Sequence, residues 1–69
     1  MNYEVFYDGE FLREEEGFED YDEVIEDAWA TVQEFMESWE NDCELELFTV
    51  NVNGFEYDGN ELKALCKEI

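Results

Sequence analysis

The side chains of this sequence that have chemistry to offer are carboxylates. Glu14, Glu15 and Glu16 stand in a row; Glu19, Asp20, Asp22, Glu23, Glu26 and Asp27 follow closely, and Glu34, Glu37 and Glu40 recur three residues apart. Grouped carboxylates serve three kinds of chemistry: acid–base hydrolysis of glycosides, coordination of hard cations and imitation of a phosphate backbone. Hydrolysis requires a pocket that encloses a substrate, for which 69 residues leave little room. A dedicated calcium loop alternates oxygen ligands around a glycine, and neither Glu14 to Glu16 nor Glu19 to Asp27 does so. Only weak, nonspecific calcium binding is expected there. Histidine is absent, and with it the commonest general base and neutral metal ligand. Cys43 and Cys66 form neither a Cys-x-x-Cys nor a zinc pattern. They read as free, reduced, partly buried thiols, with a disulfide open to them only in an oxidising compartment. No catalytic residue, metal or cofactor is therefore expected.

The balance of 22 Asp and Glu against 3 Lys and Arg gives a net charge of −19. That sign repels nucleic acid and anionic membranes, both of which call for clustered Lys and Arg. With 45% hydrophobic and 17% aromatic residues the chain nevertheless carries core material that a disordered acidic tail lacks. One domain, residues 1–69, is expected. There is no long apolar run, and Met1-Asn2-Tyr3-Glu4 lacks the basic and apolar regions of a signal peptide. A soluble, cytoplasmic protein is the expectation.

The elements that carry the acids follow from periodicity. Tyr3, Val5 and Tyr7 alternate with polar neighbours, and Asp8-Gly9 leads into Phe11 and Leu12, which predicts a hairpin. From Asp20 the period changes: Val24, Ile25, Ala28, Trp29, Val32, Phe35, Met36 and Trp39 recur at three and four. These eight fall within an arc of about 140° on a helical wheel, a stripe suited to packing on a sheet. Asp20 and Glu23 have capping-box spacing, and the helix should end near Asn41. The run Leu45 to Val52 shifts phase between Leu47 and Phe48, which predicts a bulge or burial on both faces. Asn53-Gly54 then turns the chain into Phe55-Glu56-Tyr57. Asp58 and Glu61 are placed to cap a last helix with Leu62, Leu65, Cys66 and Ile69 on one face. The expected fold is α+β: a small antiparallel sheet packed on one long amphipathic helix, in the order β-β-α-β-β-α.

Between Arg13 and Lys63 no basic residue interrupts 18 acids, although an exposed helix gains from interleaved Lys or Arg. Acids suit a helix N-terminus, but Glu34, Glu37 and Glu40 lie near the other end, against the macrodipole. A folded chain of this mass exposes roughly 4,600 Å², so the net charge averages one per about 240 Å². Duplex DNA, with one charge per ~1.7 Å of axis and a radius of ~10 Å, carries one per about 107 Å².

In size, charge and α+β pattern, with Glu14 to Glu16 and Asp20 to Asp27 as its densest part, the chain resembles a functional group. That group is the small acidic nucleic-acid mimics with which mobile elements counter host defence: anti-restriction proteins, anti-CRISPR proteins and uracil-DNA glycosylase inhibitors. The resemblance implies a noncatalytic inhibitor, encoded by a phage or another mobile element. Its acidic face would occupy the Lys- and Arg-lined channel of a nucleic-acid-binding host protein, such as a CRISPR effector or restriction enzyme. It implies the cytoplasm of an infected bacterial or archaeal host. An exposed sheet edge that could pair two copies leaves monomer and homodimer both open. The partner-binding residues would be Glu14, Glu15, Glu16, Glu19, Asp20, Asp22, Glu23, Glu26, Asp27, Glu34, Glu37 and Glu40.

The competing expectation is a halophilic or otherwise solubility-adapted small domain with no dedicated acidic site. Phe18, Tyr21 and Tyr57 border the acidic segments and would serve as anchors on a target, although each also suits a core or its edge. Asn51 and Asn53 offer polar contacts on a strand, and Asn53 also suits the turn with Gly54. Lys63 and Lys67 ease the dipole at the end of the last helix.

Overall fold

A computed structural model describes residues 1–68; the expected contribution of Ile69 to the last helix lies outside the described residues. Four strands and two helices follow one another as β1 (Asn2–Tyr7), β2 (Glu10–Glu16), α1 (Tyr21–Ser38), β3 (Phe48–Val52), β4 (Phe55–Asp58) and α2 (Gly59–Glu68), with a 3-10 turn over Leu45–Leu47 before β3. The sheet is antiparallel throughout, in the order β2-β1-β3-β4. This is the α+β architecture that the periodicity predicts, with α2 joining α1 on the same face of the sheet.

Both hairpins close through two residues of positive φ, Asp8 and Gly9 in the first and Asn53 and Gly54 in the second. Aspartate or asparagine followed by glycine tolerates that geometry, which matches the twist of the flanking strands. Around the second turn the two asparagines satisfy backbone donors: Gly54 N–H donates to Asn51 Oδ1 at 2.9 Å and Asn2 N–H to Asn53 Oδ1 at 3.0 Å. Both side chains are thereby committed to the fold.

One face of the sheet is dry. Tyr3 and Val5 of β1 and Phe48, Val50 and Val52 of β3 are fully buried against Val24, Ile25, Ala28 and Val32 of α1 and Leu62 of α2. At one end Trp39 stacks on Phe48, with centroids 5.8 Å apart and planes 11° from parallel, while Tyr7 meets both rings edge-on. Large aromatics supply much of the apolar burial in a domain too small for an extensive core.

The predicted bulge is displaced. β3 alternates cleanly, and the phase change before Phe48 is the exit from the 3-10 turn, in which the pleat has not yet begun. The irregularity lies in the first hairpin, where Val5 pairs with Arg13 and Phe6 with Phe11, leaving Leu12 without a partner. Leu12 is thereby free to pack against the buried cluster from an edge strand.

The helix caps divide unequally. Asp58 and Glu61 form a reciprocal capping box: Asp58 N–H donates to Glu61 Oε1 at 3.1 Å and Glu61 N–H to Asp58 Oδ1 at 2.8 Å. At α1 the Asp20–Glu23 box does not close; Asp20 caps the helix alone, accepting from Asp22 N–H at 3.1 Å. The other end of α1 closes in a Schellman motif, with Asn41 N–H on Met36 O and Glu40 N–H on Glu37 O. Its left-handed position is Glu40, at φ 55°, where glycine is the usual occupant. Left-handed backbone costs an L-residue about 1–2 kcal/mol, and an acid here also opposes the helix dipole. Glu40→Gly should therefore stabilise the fold by about 1 kcal/mol, raising Tm by roughly 4–8 °C in a thermal melt.

Candidate acidic interaction surface

The twelve acids are carried by β2, by α1 and by the segments that flank α1. Along α1, Asp22, Glu23, Glu26, Asp27, Glu34 and Glu37 are all exposed; Asp22, Glu23, Glu26 and Glu37 face away from the buried stripe, while Asp27 and Glu34 flank it on the side of β1 and β2. They divide into two groups. Asp20, Asp22, Glu23, Glu26 and Asp27 cluster at the N-terminal end, with Glu19 just before it, and Glu34, Glu37 and Glu40 at the other. Between Asp27 and Glu34 the helix rises about 10.5 Å. Ala30 and Gln33 occupy that gap and, with Glu34, Met36, Glu37 and Asn41, line an open hollow of about 430 Å³.

Glu14, Glu15 and Glu16 belong to β2 rather than to a loop leading into the helix. The pleat parts them, because successive side chains in a strand point to opposite faces. Glu15 pairs with Tyr3 and lies on the helix side, whereas Glu14 and Glu16 pair with Glu4 and Asn2 on the open side of the sheet. The twelve acids thus form no single surface: Glu14 and Glu16 are separated from the α1 acids by the sheet itself.

Arg13 ties Glu15 to the helix. Its Nη2 lies 3.2 Å from Glu15 Oε1 and its Nη1 3.4 Å from Glu34 Oε2, and these are the two ion pairs among the described residues. All three side chains are substantially exposed, so the pairs contribute little to stability. They do neutralise one charge where β2 meets the C-terminal half of α1. Lys63 and Lys67 both lie on α2, which also carries Glu61 and Glu68 and has no net charge. The surplus of negative charge therefore resides in the remainder of the chain.

Asp27 has a second role. Its Oδ2 accepts a 2.6 Å hydrogen bond from the buried Tyr3 hydroxyl, whose oxygen also lies 2.7 Å from Thr31 Oγ1. Thr31 is the buried polar residue of the described core, and its spacing from Asp27 on one side of α1 is the sequence signal for this contact. Burial, reinforced by the Asp27 hydrogen bond, pushes the Tyr3 hydroxyl well above the ordinary tyrosine range. A group protonated more tightly in the folded state stabilises it below its unfolded pKa, about 10 for tyrosine, and loses that contribution as pH rises through the folded value. Tyr3→Phe leaves Thr31 without its partner and should cost about 1–2 kcal/mol at neutral pH. Stability measured by urea titration should also fall less steeply above about pH 10 in Tyr3→Phe than in the wild type.

The bordering aromatics differ in exposure. Phe18 is half-buried against Tyr3, with ring centroids 5.7 Å apart. Tyr21 is 41% exposed, and its hydroxyl lies 3.4 Å from that of the half-buried Tyr57, a contact that raises the Tyr21 pKa. Phe55, on the same face of β4 as Tyr57, is 69% exposed.

Among the described residues no group of three or more His, Cys, Asp or Glu is arranged to hold a metal ion. Cys43 and Cys66 are free thiols, each half-buried. Among the described residues no helix is long and apolar enough to cross a membrane. In comparisons with protein families, curated proteins and solved structures, no match to this chain was found.

Proposed function

We infer that the protein is a noncatalytic inhibitor that presents carboxylates in place of nucleic-acid phosphates. In this reading it blocks the basic channel of a host defence protein in a bacterium or archaeon, on behalf of a phage or another mobile element. The observation that carries this reading is the state of the α1 acids. Apart from Glu34, none of those on the helix has an ion-pair partner among the described residues. Glu40 moreover holds its place in a backbone conformation, and at a helix end, that both favour another residue. Acids retained against local stability are expected where a surface has a job to do.

The spacing fits that job. The folded surface of 4458 Å² carries its net charge at one per about 235 Å², slightly over twice the area per charge of duplex DNA. The axial rise of about 10.5 Å between the two acid groups of α1 is close to the ~12 Å width of a B-DNA major groove. A surface lined with Lys and Arg to hold phosphates meets charge here at comparable intervals, and steering makes its association fast and salt-sensitive.

A second reading is favoured by one observation: Glu4, Glu56 and Asp58 carry negative charge onto the open side of the sheet as well, as a general solubility adaptation would. Capture from a bacterial lysate separates the two. At about 0.1 M salt, the tagged protein should retain one nucleic-acid-binding enzyme that survives nuclease treatment and is displaced by added duplex DNA or RNA. Retention of nothing, or of a mixed set of basic proteins lost at modest salt, would overturn the inhibitor reading in favour of the solubility one.

A further inference from the structure

Both helices cover one side of the sheet, and the other side is open. Cross-strand partners share a face, so the register defines two rows that cross all four strands. One row is Glu14, Glu4, Asn51 and Glu56; the other is Phe11, Phe6, Thr49 and Asp58. Phe6 and Phe11 form an edge-to-face pair with centroids 5.7 Å apart, and Phe11 is 53% exposed. Beside them Glu4 lies directly opposite Glu14, an arrangement of like charges that destabilises a sheet. An exposed Phe11 ring against a half-buried Phe6 sets an aromatic surface beside two facing carboxylates on a side of the sheet that no helix covers.

We propose that this open face is a second docking surface, which takes an arginine side chain of the basic partner on the Phe6–Phe11 rings, beside the facing Glu4 and Glu14 carboxylates. The proposal rests on the inhibitor reading and extends it from one face to two. Residues two apart on a strand are separated by about 6.8 Å, so a guanidinium over the Phe6 ring lies within reach of the Glu4 carboxylate. Planar guanidinium stacks on an aromatic face and pairs with a carboxylate in two-pronged fashion, which a lysine ammonium does not do. Charge complementarity also decides against the other occupants. A second copy would set Glu4, Glu14, Glu16, Glu56 and Asp58 against their own counterparts, and nucleic acid or an anionic membrane is repelled outright. A partner engaged on both α1 and this face has to surround the protein from two sides, as the opposite walls of a channel would.

The test uses the full chain with nona-arginine and nona-lysine peptides, followed by amide chemical shifts at about 0.05 M salt. The expected result is that nona-arginine shifts the amides of Glu4, Phe6, Phe11 and Glu14. It should also bind about 3-fold tighter than nona-lysine, a preference lost in Phe11→Ser. Shifts confined to α1, with no preference between the peptides, would overturn this proposal and leave the inhibitor reading standing. No shift on either face would overturn both. A doubling of the sedimenting mass that Phe11→Ser abolishes would assign the face to a second copy and overturn the proposal on its own.

Discussion

Gly59→Ala is expected to destabilise the protein by about 2 kcal/mol or more, lowering Tm by roughly 8–16 °C. On propensity alone the substitution should help, since glycine costs a helix close to 1 kcal/mol relative to alanine. The local packing reverses the sign. A Cβ at Gly59 would collide with the carbonyl oxygen of Leu45 and lie 2.8 Å from Leu45 Cδ1, and a backbone carbonyl cannot swing aside as the end of a side chain can. Gly59 is buried at the junction between the Asp58–Glu61 capping box and the 3-10 turn, so relieving the clash means lifting α2 from that turn. A domain of this size has a total stability of about 3–10 kcal/mol. The loss should be visible in a single thermal melt, and a Tm equal to or above the wild type would show that α2 can shift freely.

The second large effect concerns binding. Glu23→Lys, Glu26→Lys and Glu37→Lys together should leave the fold intact and weaken capture of the partner by about 100-fold or more. Three reversals of two units each take the net charge from −19 to −13. None of the three side chains has a hydrogen-bond or ion-pair partner among the described residues, which makes them a cleaner choice than Asp27, whose loss would remove one of the two partners of the Tyr3 hydroxyl. Stability should rise slightly. Asp22 gains a lysine four residues on, and a lysine at position 37 suits the helix C-terminus. A folded triple variant that captures the partner as well as the wild type would show that α1 is not the docking surface.

How far these outcomes were legible in the sequence depends on the distance over which each is determined. The α1 stripe, the Asp8-Gly9 and Asn53-Gly54 turns and the Asp58–Glu61 cap are decided within a few residues, and periodicity and turn chemistry report them directly. The bulge at Leu12 depends on how β1 and β2 align, and the split of Glu14 and Glu16 from Glu15 depends on β2 being a strand as far as Glu16. A run of three glutamates carries no alternation of its own to announce a pleat. The open face was implicit in the positions that alternate with Tyr3, Val5 and Tyr7, namely Asn2, Glu4 and Phe6. Helix positions settle on the dry side of a sheet, and what remains is left for water or a partner. Gly59 was the least legible, because its constraint comes from a carbonyl fourteen residues earlier in the chain.

The acids of β2 have a consequence that does not depend on any target. β2 is an edge strand whose outer rim of backbone donors and acceptors has no neighbour, and such rims recruit other chains into fibrils unless something forbids it. Glu10, Glu14, Glu15 and Glu16, together with the kink at Leu12, forbid it here. Drift of these positions towards neutral β-forming residues would be penalised as aggregation before any loss of recognition was felt. Descendants of this protein that change their target should therefore vary α1 first and keep the glutamates of β2.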